Sequence, residues 1–153
     1  MSLLGKSAPN VTLYDTKCQA VDIASFQGKK LIVAFFPAAF TGVCTQEMCT
    51  FNNGIEDLRG LGAELVAVSV DAPFANGAFA AANNVEFNIL SDFARHAVNA
   101  FGVAFHDFAG MPGFTVAQRA VFIIDENGTV AFEWIAPNPG VEPDYDAVKA
   151  ALG

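Results

Sequence analysis

The chain has 153 residues, 53% of them apolar and only 16% charged, with a formal net charge of -8. This length fits one domain with a sizeable core, so residues 1–153 are expected to form a single folded unit, and the apolar content excludes a disordered chain. An acidic balance opposes binding to nucleic acid or to an anionic membrane, both of which call for clustered Lys and Arg.

No apolar run reaches the roughly 18 residues of a spanning helix, and "MSLLGKSAPN" lacks the apolar stretch of a secretory signal, so the chain reads as cytoplasmic. In chain order, "NVTLYD" (10–15) alternates apolar and polar residues as a half-exposed strand does. "KLIVAFF" (30–36), "ELVAVSV" (64–70) and "RAVFIID" (119–125) are near-continuous apolar runs, expected of central strands buried on both faces. "TVAFEWIA" (129–136) follows "DENG", whose Asn127-Gly128 pair signals a hairpin, so it should run antiparallel to its predecessor. Helical spacing is expected over 44–60, 73–83, 92–101 and 144–151, with Pro143 placed for a helix start. The alternation gives an α/β sandwich with a mixed central sheet.

The stretch "FFPAAFTGVCTQEMCTF" (35–51) holds two of the three cysteines. An odd count argues against a structural disulfide framework and leaves metal binding or catalysis. Pro37 should end its strand and set up a tight loop, placing Cys44 in the loop or first turn of the next helix. There the unpaired N–H groups and the positive dipole end stabilise a thiolate. Thr41, three residues earlier, is placed to donate its hydroxyl to the sulfur or to a bound oxygen.

On that helix Cys44, Met48, Phe51, Ile55 and Leu58 recur at spacings of four and three, along one inward face, with Cys49 off it. Five residues advance a helix by roughly 7.5 Å and turn it by about 140°, which holds the two cysteines beyond the roughly 7 Å Cα limit for a disulfide. A resting disulfide conflicts with the helix, whereas one formed after the first turns unwind suits a catalytic cycle. Cys49 as a small packing residue stays open. For zinc, the pair supplies two ligands where a structural site needs four, and Cys18, His96 and His106 repeat no ligand pair. Neither metal nor organic cofactor is expected. Arg119, one of three arginines, opens an apolar strand and calls for a reason. Glu47 has a simpler reading, since an acidic residue in a first helical turn is stabilising anyway.

Pro37-x-x-x-Thr41-x-x-Cys44 resembles the active-site signature of peroxiredoxins, the thiol peroxidases on a thioredoxin-like fold. Thr45, Glu47, Cys49 and Phe51 resemble the pattern of the bacterioferritin-comigratory (peroxiredoxin Q) type. Gly42-Val43 and the C-terminal "PNPGVEPDYDAV" look more like the alkyl hydroperoxide reductase E type. The resemblance implies a thioredoxin-like fold and reduction of hydrogen peroxide or organic hydroperoxides. Cys44 would attack and Cys49 would resolve the resulting sulfenic acid as an intramolecular disulfide, later reduced by a thioredoxin-like donor. Thr41, Val43 and the Cys44 N–H would hold the peroxide, and Pro37 would shield the sulfur. Arg119 would support the thiolate, with Glu47 orienting it. A homodimer through the face near the active-site loop is a further implication. Alternatives are a one-cysteine enzyme resolved by an external thiol and a peroxide-sensing interaction protein.

Overall fold

The computed structural model describes residues 2–153. Its strands are β1 (Thr12–Tyr14), β2 (Ala20–Asp22), β3 (Lys30–Phe35), β4 (Ala63–Ser69), β5 (Asn88–Ser91), β6 (Ala104–Phe105), β7 (Val116–Ala117), β8 (Ala120–Ile124) and β9 (Val130–Ile135). The helices are α1 (Gly42–Asn53), α2 (Ile55–Gly60), α3 (Pro73–Ala82), α4 (His96–Ala100) and α5 (Tyr145–Leu152). Seven strands form one sheet in the order β2-β1-β5-β4-β3-β8-β9, while β6 and β7 pair separately. β3, β4 and β5 run parallel, and β8 is antiparallel to β3, as is β9 to β8.

The apolar runs become the middle of the sheet because both faces need covering. Along β3, Leu31, Val33 and Phe35 point to one core with Val98 of α4, while Ile32 and Ala34 point to the other with Met48, Phe79 and Val148. This alternation follows from the strand's two-residue period. Helices α1, α2, α3 and α5 thus share one face, and α4 covers the other.

Three expectations need correction. The helix expected over 44–60 is two, because Gly54 leaves helical geometry at φ -99°, ψ 4°, where glycine's weak helix propensity makes a break inexpensive. The helix expected over 92–101 covers only His96–Ala100: Arg95 is left-handed at φ 62°, and the Asp92 carboxylate caps from outside, accepting from the N–H groups of Ala97 and Val98. Pro143 lies before Asp144, whose carboxylate accepts from the Ala147 N–H, so α5 starts at Tyr145. The β8–β9 hairpin forms as expected, but only Gly128 (φ 84°) takes positive φ in its turn. Strands β2, β5, β6 and β7 have no counterpart in the sequence reading. They are short, and "NILS" of β5 carries too little pattern to separate it from a loop.

The C-terminal ends of the parallel strands β3 and β4 and the N-terminal start of β8 meet at one pole of the sheet, since Phe35 lies opposite both Val68 and Ala120. Chain segments leaving these ends build the site.

Candidate active site

β3 delivers the chain to Phe36 and the buried Pro37, and the loop 38–41 then turns into α1. That loop is held from the next strand over: the Ala39 N–H donates to Asp71 Oδ2 at 2.8 Å, and the Ser91 hydroxyl donates to the Asp71 carbonyl. Phe40 takes a left-handed φ of 64° and packs edge-on against Phe79. Asp71 was missed by sequence reasoning. Its signal was its place just after the apolar run 64–70, at the end of a parallel strand where sites gather.

Cys44 is the third residue of α1 and is 1% exposed. The N–H groups of Gly42, Val43 and Cys44 precede the helix's first main-chain bond, from the Thr45 N–H to the Thr41 carbonyl at 2.9 Å. These are the donors that every helix start leaves without an intrahelical partner, and they carry its positive dipole end. Thr41 takes the extended conformation of an N-cap, but its hydroxyl donates to the Ala38 carbonyl at 2.7 Å. The expected donation to sulfur is therefore not made in this state; the hydroxyl braces the loop, leaving its oxygen lone pairs available as acceptors.

Arg119 enters from the residue before β8, 2% exposed. Its Nη2 donates to Cys44 Sγ at 3.1 Å, and its Nη1 donates to Glu47 Oε2 at 2.8 Å. Glu47 lies one turn beyond Cys44 and is fully buried. The dipole reading of Glu47 is corrected, because α1 has no acidic residue in its first turn and Glu47 earns its place through Arg119. Burial pushes the Glu47 carboxyl up to about 7 against the pull of Arg119, and among the described residues its Oε1 has no hydrogen-bond partner. Burial would lower the arginine's pKa, yet Glu47 and Cys44 together raise it, so the guanidinium stays charged.

Two further hydrogen bonds of Arg119 go to one acceptor, the Pro139 carbonyl, reached by Nε at 3.2 Å and Nη2 at 3.0 Å. A main-chain carbonyl has no residue-type signature, so the sequence could not point to it.

Cys49 is different in every respect. It is half-buried, and its Sγ lies 3.8 Å from Asn83 Oδ1 at the end of α3. All three cysteines are free thiols, with Cys18 exposed in a turn. The structure thus joins Cys44, Glu47 and Arg119 by hydrogen bonds, with Pro37, Thr41 and Val43 on the segment that leads into them, and gives Cys49 a different neighbour, Asn83. Among the described residues no group of three or more His, Cys, Asp and Glu is arranged to hold a metal, and no helix is long and apolar enough to cross a membrane.

The arrangement is a thiol with a buried cation on its sulfur and unpaired N–H donors beside it. Such a site offers hydrogen-bond donors to oxygens arriving at the sulfur. Comparison with known proteins places the chain among thiol peroxidases and peroxiredoxins. A thiol peroxidase of Streptococcus sanguinis is 36% identical over 151 residues, covering 97% of this chain and 88% of that one. A chloroplastic peroxiredoxin Q of Oryza sativa subsp. japonica is 32% identical over 128 residues, covering 84% of this chain and 57% of its own. Among solved structures, that of reduced Prx3 in complex with H2O2 from Vibrio vulnificus superposes with a TM-score of 0.89 at 28% identity, covering all of both chains. Residues 4–133 match the AhpC/TSA family, and with relatives of this identity and coverage the chain belongs to it.

Proposed function

We propose that this chain is a thiol-dependent peroxidase in which Cys44 attacks the peroxide. The Cys44 thiolate would bond to one peroxide oxygen as the O–O bond breaks, the departing oxygen leaving as alkoxide or hydroxide and taking up a proton. Sulfur is oxidised by two electrons to the sulfenic acid. The observation that carries this reading is Arg119 Nη2 at 3.1 Å from Cys44 Sγ, beside the N–H groups that open α1. A donor set fixed before reaction costs no reorganisation when charge moves from sulfur to the leaving oxygen. Pro37, Thr41 and Val43 would line the opening, and Glu47 would orient Arg119.

Resolution by Cys49 would condense its thiol with the sulfenic acid, releasing water and leaving a disulfide that an external dithiol such as a thioredoxin-like protein reduces. Supporting this is the presence of a second free thiol on the same helix. For the two sulfurs to meet, α1 would first have to unwind between them. A homodimer would use the exposed Phe40 and Phe74 at the rim of the active-site pole, and the setting would be a reducing cytoplasm.

The test is stopped-flow reaction with hydrogen peroxide in a Cys18→Ser background. A rate constant orders of magnitude above that of a free thiol is expected; a rate no faster than a free thiol would sink the peroxidase reading.

A further inference from the structure

The attacking site draws on the loop after β3, on α1 and on the start of β8, but one more segment reaches it. After β9 the chain crosses back over Arg119. The Ala136 N–H donates to the Arg119 carbonyl at 2.8 Å, and the Pro139 carbonyl accepts from both Nε and Nη2. Asn138 holds the turn: its Oδ1 accepts from the Gly140 N–H at 2.9 Å and its carbonyl from the Val141 N–H at 3.3 Å. The turn is close enough that a Cβ on Gly140 would come within 3.2 Å of Asn138 Oδ1. These residues lie beyond residue 133, where the family match ends.

We infer that the strap 136–141 is a positioning element of the peroxidase site, with the Pro139 carbonyl fixing the guanidinium of Arg119 against the Cys44 sulfur. The inference rests on the role of Cys44 proposed above. A guanidinium is a planar fork of five N–H donors. Held by Glu47 alone, at Nη1, it could pivot about that one contact. An acceptor bridging Nε and Nη2 on another edge removes the pivot and leaves an Nη2 hydrogen directed to sulfur. A carbonyl suits this task because it is neutral: a second carboxylate there would compete with the thiolate for the cation's charge. Pro137 and Pro139 narrow the strap's backbone freedom, so the carbonyl is set in place before a peroxide arrives.

The direct test weakens this one acceptor. Replacing the Pro139–Gly140 amide by an ester through semisynthesis reduces the carbonyl's acceptor strength and deletes the Gly140 N–H. Asn138→Ala removes only the partner of that N–H and serves as the control. Both are made with Cys18→Ser and Cys49→Ser, so that iodoacetamide reports Cys44 alone. The ester is expected to slow the peroxide reaction about fivefold relative to Asn138→Ala. It should also move the midpoint of the alkylation pH profile upward, with the thermal unfolding of the two proteins matched. An ester protein matching Asn138→Ala in rate and profile would overturn the inference, as would a slowing accompanied by loss of the folded state. If the parent protein reacts with peroxide no faster than a free thiol, the peroxidase reading itself fails. The alkylation profile still reports on the strap in that case.

Discussion

Cys44 and Cys49 sit five residues apart on one helix, yet one sulfur is sealed against a buried arginine while the other rests half-exposed near an asparagine amide. The difference teaches that the two halves of the proposed cycle are built differently. Attack would use a site complete at rest, with cation, carboxylate and carbonyl already placed. Resolution would use a residue that acquires its partner only when the first turns of α1 open. The first half is an electrostatic arrangement, and the second is a matter of how firmly α1 is held.

Removing the attacker should have the largest effect. Cys44→Ser should lower the peroxide rate by roughly 10³-fold or more in stopped-flow assays, whereas Cys49→Ser should leave that first step within about twofold. Comparable losses in both would erase the contrast. Next, Arg119→Lys should cost about 10²-fold in the same assay, because an ammonium cannot meet sulfur, carboxylate and carbonyl from one plane. A rate near that of the parent would mean that charge alone, without the fork, suffices.

Glu47 gives an intermediate effect with a defined pH signature. Its carboxyl is raised from 4.5 to about 7 on folding, so the folded state binds more protons than the unfolded state between these values. Stability from this group is therefore greatest at low pH and falls as pH rises through that window, by on the order of 3 kcal/mol. Glu47→Gln should flatten that part of the stability profile measured by urea unfolding from pH 4.5 to 8, and it should slow the peroxide reaction about tenfold by loosening Arg119. A profile identical to the parent's would show that Glu47 does not titrate there.

The smallest effects concern the hold on α1. Asn52 ties its end to the turn after α3, with Nδ2 donating to the Asn84 carbonyl at 2.9 Å and Oδ1 accepting from the Glu86 N–H at 2.7 Å. Asn52→Ala should speed disulfide formation severalfold, by up to about tenfold, since two hydrogen bonds resisting unwinding are lost. Gly54→Ala should change that rate by less than about twofold: Gly54 lies beyond the Asn52 tie, at a negative φ, and an added Cβ would make only ordinary contacts, 3.8 Å from the Thr50 carbonyl and 3.9 Å from that of Phe51. A marked slowing in Gly54→Ala would mean that unwinding spreads past Asn52.

Much of this was legible in the sequence for particular reasons. Continuous apolar runs mark β3, β4 and β8 because strands covered on both faces have no polar side to show. The spacing of Met48, Phe51, Ile55 and Leu58 marks the inward side of α1 and α2, and all four are buried. Pro37, Thr41 and Cys44 are local in sequence and could be read as one stretch. What the sequence withheld is long-range or carried by the main chain. The Pro139 carbonyl leaves no trace in residue type, and Asp71 braces Ala39 across 32 positions. The Thr41 hydroxyl turns to a carbonyl three residues back, a choice that spacing cannot decide. Glu47 has two readings in the sequence, a charge at a helix start and a resemblance to a carboxylate that orients the arginine, whereas its burial follows from the fold.

The most direct test of the contrast is a rapid-quench single turnover in the Cys18→Ser protein, with one equivalent of hydrogen peroxide and a sulfenic-acid trap, read by intact and peptide mass. The expected result is trap adduct on Cys44 at early times, giving way in untrapped samples to a loss of two hydrogens that joins Cys44 and Cys49. Early adduct on Cys49, or a persistent gain of one oxygen with no disulfide, would contradict the division of roles between the two thiols.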